Sequence, residues 1–145
     1  MKLSLGVGPD GRLYERSFGS LDAKVPSPEK GPARETEFLP AFGNGFILEP
    51  AIEATHVDGN RSTDLVYVKH ETTVIDTNVT LTQIQLKDRY YPFFVTINLK
   101  TYAQEDVLEA WTEIHHEEDG EVTLEHFASI SPLLRGKEFW LTHFY

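Results

Sequence analysis

Apolar and polar positions alternate most regularly in Phe93-Phe94-Val95-Thr96-Ile97-Asn98-Leu99-Lys100. A period of two predicts a half-buried strand, with Phe93, Val95, Ile97 and Leu99 on one face and Phe94, Thr96, Asn98 and Lys100 on the other. The same period opens the chain. Leu3, Leu5 and Val7 alternate with polar or small residues, Pro9-Asp10-Gly11 supplies a turn, and Leu13 to Phe18 resumes the strand, which together predict a hairpin. Further strands are predicted at Ala51 to Val57, Asp64 to Ile75, Val79 to Leu86, Val107 to His116, Glu121 to Ile130 and Glu138 to Phe144. With Phe93 to Tyr102 and the opening hairpin they predict an all-β chain of two packed antiparallel sheets. No amphipathic helix of useful length, internal repeat or low-complexity tract interrupts the pattern.

Breaks in the pattern place the connections. From Gly19 to Glu37 the prolines Pro26, Pro28 and Pro32 remove donors and fix φ and Gly31 loosens the backbone, predicting a long surface loop within one domain spanning residues 1–145. Between Leu81 and Ile84 the apolar phase slips, which predicts a bulge or a change of sheet face. Asp58-Gly59-Asn60 and Asp119-Gly120 carry turn chemistry. A two-residue loop at Asp119-Gly120 would set Glu113 opposite His126 and Trp111 opposite Ala128.

Composition agrees with the strand reading: nine Phe, six Tyr and two Trp stand against one Met, a mixture that favours sheets. A formal net charge of -10 disfavours nucleic acid and anionic membranes, since both need clustered Lys and Arg. The chain has no Cys, so disulfides and thiolate chemistry are excluded, while the compartment stays open between cytoplasm and, with a signal peptide removed, periplasm. No run approaches the roughly 18 apolar residues of a spanning helix.

Candidate chemistry is sparse. Acid/base hydrolysis by a pair of carboxyl groups needs the two held across one bond, but among 23 acidic residues pairs such as Glu117-Glu118 and Glu105-Asp106 arise by chance and read as solvated surface charge. Adjacent His115 and His116 point to opposite faces of a strand and do not share a metal. Glu113, His115 and His126 would meet only across the Asp119-Gly120 hairpin, where a polar cross-strand ladder is the commoner outcome. His56, His70 and His143 read as packed or capping residues. Neither a metal nor a cofactor is expected. Phe42-Gly43-Asn44-Gly45-Phe46 lacks the Lys and helix of a phosphate loop. It reads as a Gly turn, or as a pocket-rim or interface loop presenting Phe42, Asn44 and Phe46. Arg89-Tyr90-Tyr91-Pro92-Phe93-Phe94 reads as a strand entry whose rings fill the core, or as an aromatic platform for sugars.

Several of these segments carry a resemblance. Phe46 to Ile52, then His56-Val57-Asp58-Gly59-Asn60, then Asp64-Leu65-Val66-Tyr67-Val68-Lys69-His70, followed by Asp119 to Glu125 and Glu138 to Tyr145, resemble in order and spacing the N-terminal domain of glycoside hydrolase family 36 α-galactosidases. The likeness runs from about Leu13 to Tyr145. It departs at Gly43-Asn44-Gly45-Phe46-Ile47-Leu48, where many members carry Gly-x-Gly-Asp-Phe/Tyr-Arg, so position carries over there and role does not.

The resemblance implies a β-sandwich of the supersandwich type. It implies a parent enzyme that hydrolyses terminal α-galactosides with retention through two Asp residues on a separate barrel, so this chain alone catalyses nothing. It also implies a domain that packs on that barrel, supports the pocket rim and contributes homo-oligomer contacts, meeting α-galactoside oligosaccharides only through the parent. An apolar patch at Phe139, Trp140, Leu141 and Phe144 would then mark the packing face. The alternative is a free-standing carbohydrate-binding module with Tyr90, Tyr91 or Trp111 as platforms. An interaction protein unrelated to sugars, offering its acidic surface, is a third reading.

Overall fold

Turn and strand chemistry fix the architecture of the computed structural model, which describes residues 2–19, 36–43 and 45–134. Eight strands follow in chain order: β1 (Lys2–Val7), β2 (Leu13–Gly19), β3 (Ile52–Thr55), β4 (Leu65–Val74), β5 (Val79–Asp88), β6 (Phe93–Tyr102), β7 (Val107–His116) and β8 (Thr123–Phe127). The fold is an all-β, antiparallel β-sandwich. One layer is a four-stranded meander in the order β4-β5-β6-β7, and the two-stranded ladders β1-β2 and β3-β8 stand apart from it. The layer facing the meander is thus two short ladders and not one continuous sheet. Pro40, Pro50 and the positive-φ Gly43 and Gly45 interrupt the backbone between β2 and β3, where a proline cannot donate to a ladder.

The first two turns of the meander are closed by aspartates. Asp76 Oδ1 accepts the N–H groups of Asn78 (2.7 Å) and Val79 (2.8 Å) between β4 and β5. Asp88 Oδ1 accepts those of Tyr90 (2.7 Å) and Tyr91 (2.8 Å) between β5 and β6. An Asx side chain of this kind satisfies the donors that a tight turn would otherwise strand.

The core lies on one face of the meander. Phe93, Val95, Ile97 and Leu99, the face read from alternation, are all buried, and with Ile84 and Leu86 they pack against Ile52 and Ala54 of β3, Leu13 of β2, and Phe38 and Leu39. Each of the larger side chains among them contributes about 1.5–3 kcal/mol by leaving water. The opening hairpin forms as read, with Val7 opposite Leu13. Its turn is held to the meander by charge: Arg12 pairs with Asp10 at 3.0 Å and with Asp64 at 2.5 Å, and Asp64 also meets Arg89 at 3.0 Å. Tyr67 N–H then donates to the Gly11 carbonyl at 2.8 Å.

Two readings are corrected, the first and the third, and the second, left between two alternatives, is decided. First, β8 pairs with β3 and not with β7, so Glu113 stands opposite Thr96 and His126 opposite Glu53. The Asp119-Gly120 turn therefore carries the chain away from the meander, which removes the Glu113, His115 and His126 constellation. Second, the β5-β6 ladder runs without interruption; Val79 and Leu81 sit on the outer face and Ile84 and Leu86 on the core face, and the register shift belongs to β4, between Tyr67 and Lys69. The phase slip is thus a change of face: the apolar residues lie on the outer face in the first half of β5 and on the core face in the second. Third, Glu118 is not solvated surface charge, since its side chain is only 5% exposed. The strand at Glu138 to Phe144, the patch at Phe139, Trp140, Leu141 and Phe144, His143, Asn44 and most of the Gly19 to Glu37 segment lie outside the described residues.

Candidate functional site

The loop that carries Phe42 and Phe46 is anchored at its base and exposed at its tip. Ala41 bridges Ile52 in parallel, Phe42 N–H donates to the Ile52 carbonyl at 2.9 Å, and Thr63 N–H donates to the Phe42 carbonyl at 3.0 Å. At the tip Phe46 N–H donates to the Gly43 carbonyl at 3.1 Å, closing a narrow turn with φ of 100° at Gly43 and 81° at Gly45. A β-carbon on Gly43 would stand 2.2 Å from Ser62 Oγ, so glycine is required for both conformation and space. Phe42 is 39% exposed beneath the Arg61 guanidinium, 5.3 Å from its ring centre, and Phe46 is half-buried. Beyond them Ile47 is 87% and Leu48 55% exposed. Ile47 and Leu48 thus leave a small apolar surface in water just beyond the braced turn. Sequence reasoning singled out the two rings and missed that Ile47 and Leu48 are more exposed than either.

The adjoining segment, residues 56–63, is locked from inside. His56 Nδ1 lies 2.7 Å from Glu118 Oε1 and its Nε2 lies 3.1 Å from Thr63 Oγ1, while Glu118 Oε2 accepts Val57 N–H at 3.1 Å. The Tyr91 ring stacks on His56 at 3.7 Å with 7° between the planes, and its hydroxyl donates to Asp58 Oδ2 at 2.8 Å. Asn60 N–H, then the Tyr91 hydroxyl, hold the Asp58 carboxyl below the usual range. Thr63, His56 and Glu118 repeat the order of a hydroxyl, an imidazole and a carboxylate, but His56 and Thr63 are each only 2% exposed. No substrate reaches a hydroxyl so enclosed, and the arrangement braces the loop.

The remaining platform residues separate. Tyr91 has one ring face occupied by His56, Tyr90 is 77% exposed, and Trp111 is half-buried on β7. A groove of about 480 Å³ opens between the first hairpin and the core face of the meander, lined by Leu3, Leu5, Leu13, Tyr67, Ile84 and Leu108 among others, with no residue from the Phe42 to Leu48 loop. Among the described residues no three His, Asp or Glu side chains converge as a metal site.

Comparison with known proteins agrees with this architecture. The family model for the glycosyl hydrolase family 36 N-terminal domain matches residues 12–145. No curated protein matched the sequence. Among solved structures, the chain resembles the family 36 α-galactosidase AgaB from Geobacillus stearothermophilus with a TM-score of 0.73 at 18% identity. It resembles the α-galactosidase from Lactobacillus brevis with a TM-score of 0.73 at 12% identity. The galactosidase domain of the α-galactosidase-sucrose kinase AgaSK gives a TM-score of 0.75 at 16% identity. In each case 88% of this chain is covered but only 22% of the other, so the chain spans about a fifth of the length of these proteins.

Proposed function

Since the chain belongs to the glycosyl hydrolase family 36 N-terminal domain family, we propose that it serves as one non-catalytic domain of a longer α-galactosidase. In that parent the bond-breaking carboxylates stand on a separate barrel, and the reaction releases terminal α-galactosyl groups with retention. This domain packs on the barrel, supports the rim of its pocket and supplies contacts between subunits. The observation that carries the reading is the braced loop ending in exposed Ile47 and Leu48, within a chain that covers 22% of its structural relatives. An apolar tip of this kind gains by burial against a neighbour, about 25 cal/mol per Å² removed from water.

Phe46 and Leu48 occupy the places where many family members carry Asp and Arg, so contact through this loop is apolar here and not by hydrogen bonds to sugar. Reading the gene beyond Tyr145 and assaying its product on raffinose tests the proposal. A barrel with two catalytic Asp residues and release of galactose supports it, whereas a gene that ends without a barrel overturns it.

A further inference from the structure

The outer face of the meander carries an ordered polar row that the preceding reading does not use. By register, Glu71, Gln83, Asn98 and Trp111 stand side by side across β4, β5, β6 and β7. Beside them run Lys69, Gln85, Thr96 and Glu113. Gln83 Nε2 donates to Asn98 Oδ1 at 2.8 Å, Asn98 Nδ2 donates to Glu113 Oε1 at 2.9 Å, and Trp111 Nε1 donates to the same oxygen at 3.3 Å. Asn98 is 0% exposed, so the centre of the row is fixed in place while its flanks meet solvent. Gln83 Oε1 and Glu113 Oε2 carry no hydrogen bond among the described residues.

We propose that this row is a binding surface for a neutral oligosaccharide, with Trp111 as the stacking ring and Gln83 and Glu113 as the hydroxyl partners. A pyranose presents hydroxyls that both donate and accept around an apolar C–H face. An amide and a carboxylate answer the hydroxyls, and an indole answers the C–H face. The row crosses three inter-strand spacings of about 4.8 Å, near 14 Å in all, a length that suits several linked rings over one. The chain's net charge of -10 selects against anionic sugars. An apolar protein partner is disfavoured as well, because covering Glu71, Gln83 and Glu113 without hydrogen bonds costs several kcal/mol. The surface is independent of the accessory reading, since its test needs sugar and no barrel.

The test is a titration of the ¹⁵N-labelled chain with raffinose and with stachyose, following backbone amide, side-chain amide and indole signals. Binding moves the Gln83 and Asn98 amides and the Trp111 indole. Trp111→Ala weakens affinity about tenfold, Gln83→Ala weakens it severalfold, and Tyr90→Ala leaves it unchanged. If Trp111→Ala fails to fold, the wild-type map and folded Gln83→Ala decide. Unmoved signals at millimolar sugar, movement confined to Tyr90, or undiminished affinity in Gln83→Ala would overturn the assignment.

Discussion

His56 Nδ1 and Glu118 Oε1 lie 2.7 Å apart although 62 positions separate them, with the imidazole 0% and the carboxylate 5% exposed. The contact ties the end of β3 to the turn before β8. Removing one member of such a pair strands the other in a dry site. Glu118→Ala is therefore expected to cost about 2–4 kcal/mol in urea unfolding. Its neighbour Glu117, with a side chain 64% exposed, is expected to change stability by less than about 0.5 kcal/mol when replaced by Ala. Equal effects would refute the distinction.

Acid should loosen the first hairpin. Burial disfavours the Asp10 charge, but hydrogen bonds from the Tyr14 hydroxyl and from Arg12 outweigh it and hold the carboxyl below its ordinary range. A pKa lower in the folded than in the unfolded state gives stability that is present above about pH 4 and is lost as pH falls through the folded value. Asp10→Asn is expected to lose about 1 kcal/mol at neutral pH and to show a shallower decline below pH 4. Thermal melts across that range, wild type against variant, measure both.

Gly43→Ala should destabilise more than Gly45→Ala. Both positions have positive φ, but only at 43 does a β-carbon meet Ser62, whereas the space at 45 is open. The first change is expected to cost about 2–3 kcal/mol and the second about 1 kcal/mol. Denaturation of the two variants side by side checks the order.

Ile47→Ser and Leu48→Ser bear on the proposed packing. Both side chains are exposed, so the stability of this chain should stay within about 0.5 kcal/mol of wild type. In the proposed full-length enzyme the double variant is expected to lower activity or, if subunits meet through this loop, to shift the protein toward smaller species on size exclusion. A parent unaffected in both respects would remove the loop from the contact surface.

The fold was legible wherever a single strand carried its own signal. The Phe93 alternation identifies a core face without any pairing, and Pro9-Asp10-Gly11 marks its turn by residue chemistry, whereas the role of Asp88 in the β5-β6 turn shows only in the structure. Pairing was less legible, because the turn residues Asp119-Gly120 look the same whether the chain doubles back on β7 or crosses to β3. The outer row shows the same limit. Asn98 reads as an ordinary polar position in its own strand, and its alignment with Glu71, Gln83 and Trp111 depends on three registers together. His56 was read as a packed residue, but its carboxylate partner was hidden in an acidic run resembling surface charge.

The pairing of Ile52 with Phe127 also orders events during synthesis. The meander's strands follow one another along the chain and can zip by local closure, whereas β3, bridged earlier in the chain at Ala41, lacks its ladder partner until β8 has left the ribosome. Closing so long a loop slows this last step. During that interval the exposed edge of β3 is a natural client for a chaperone.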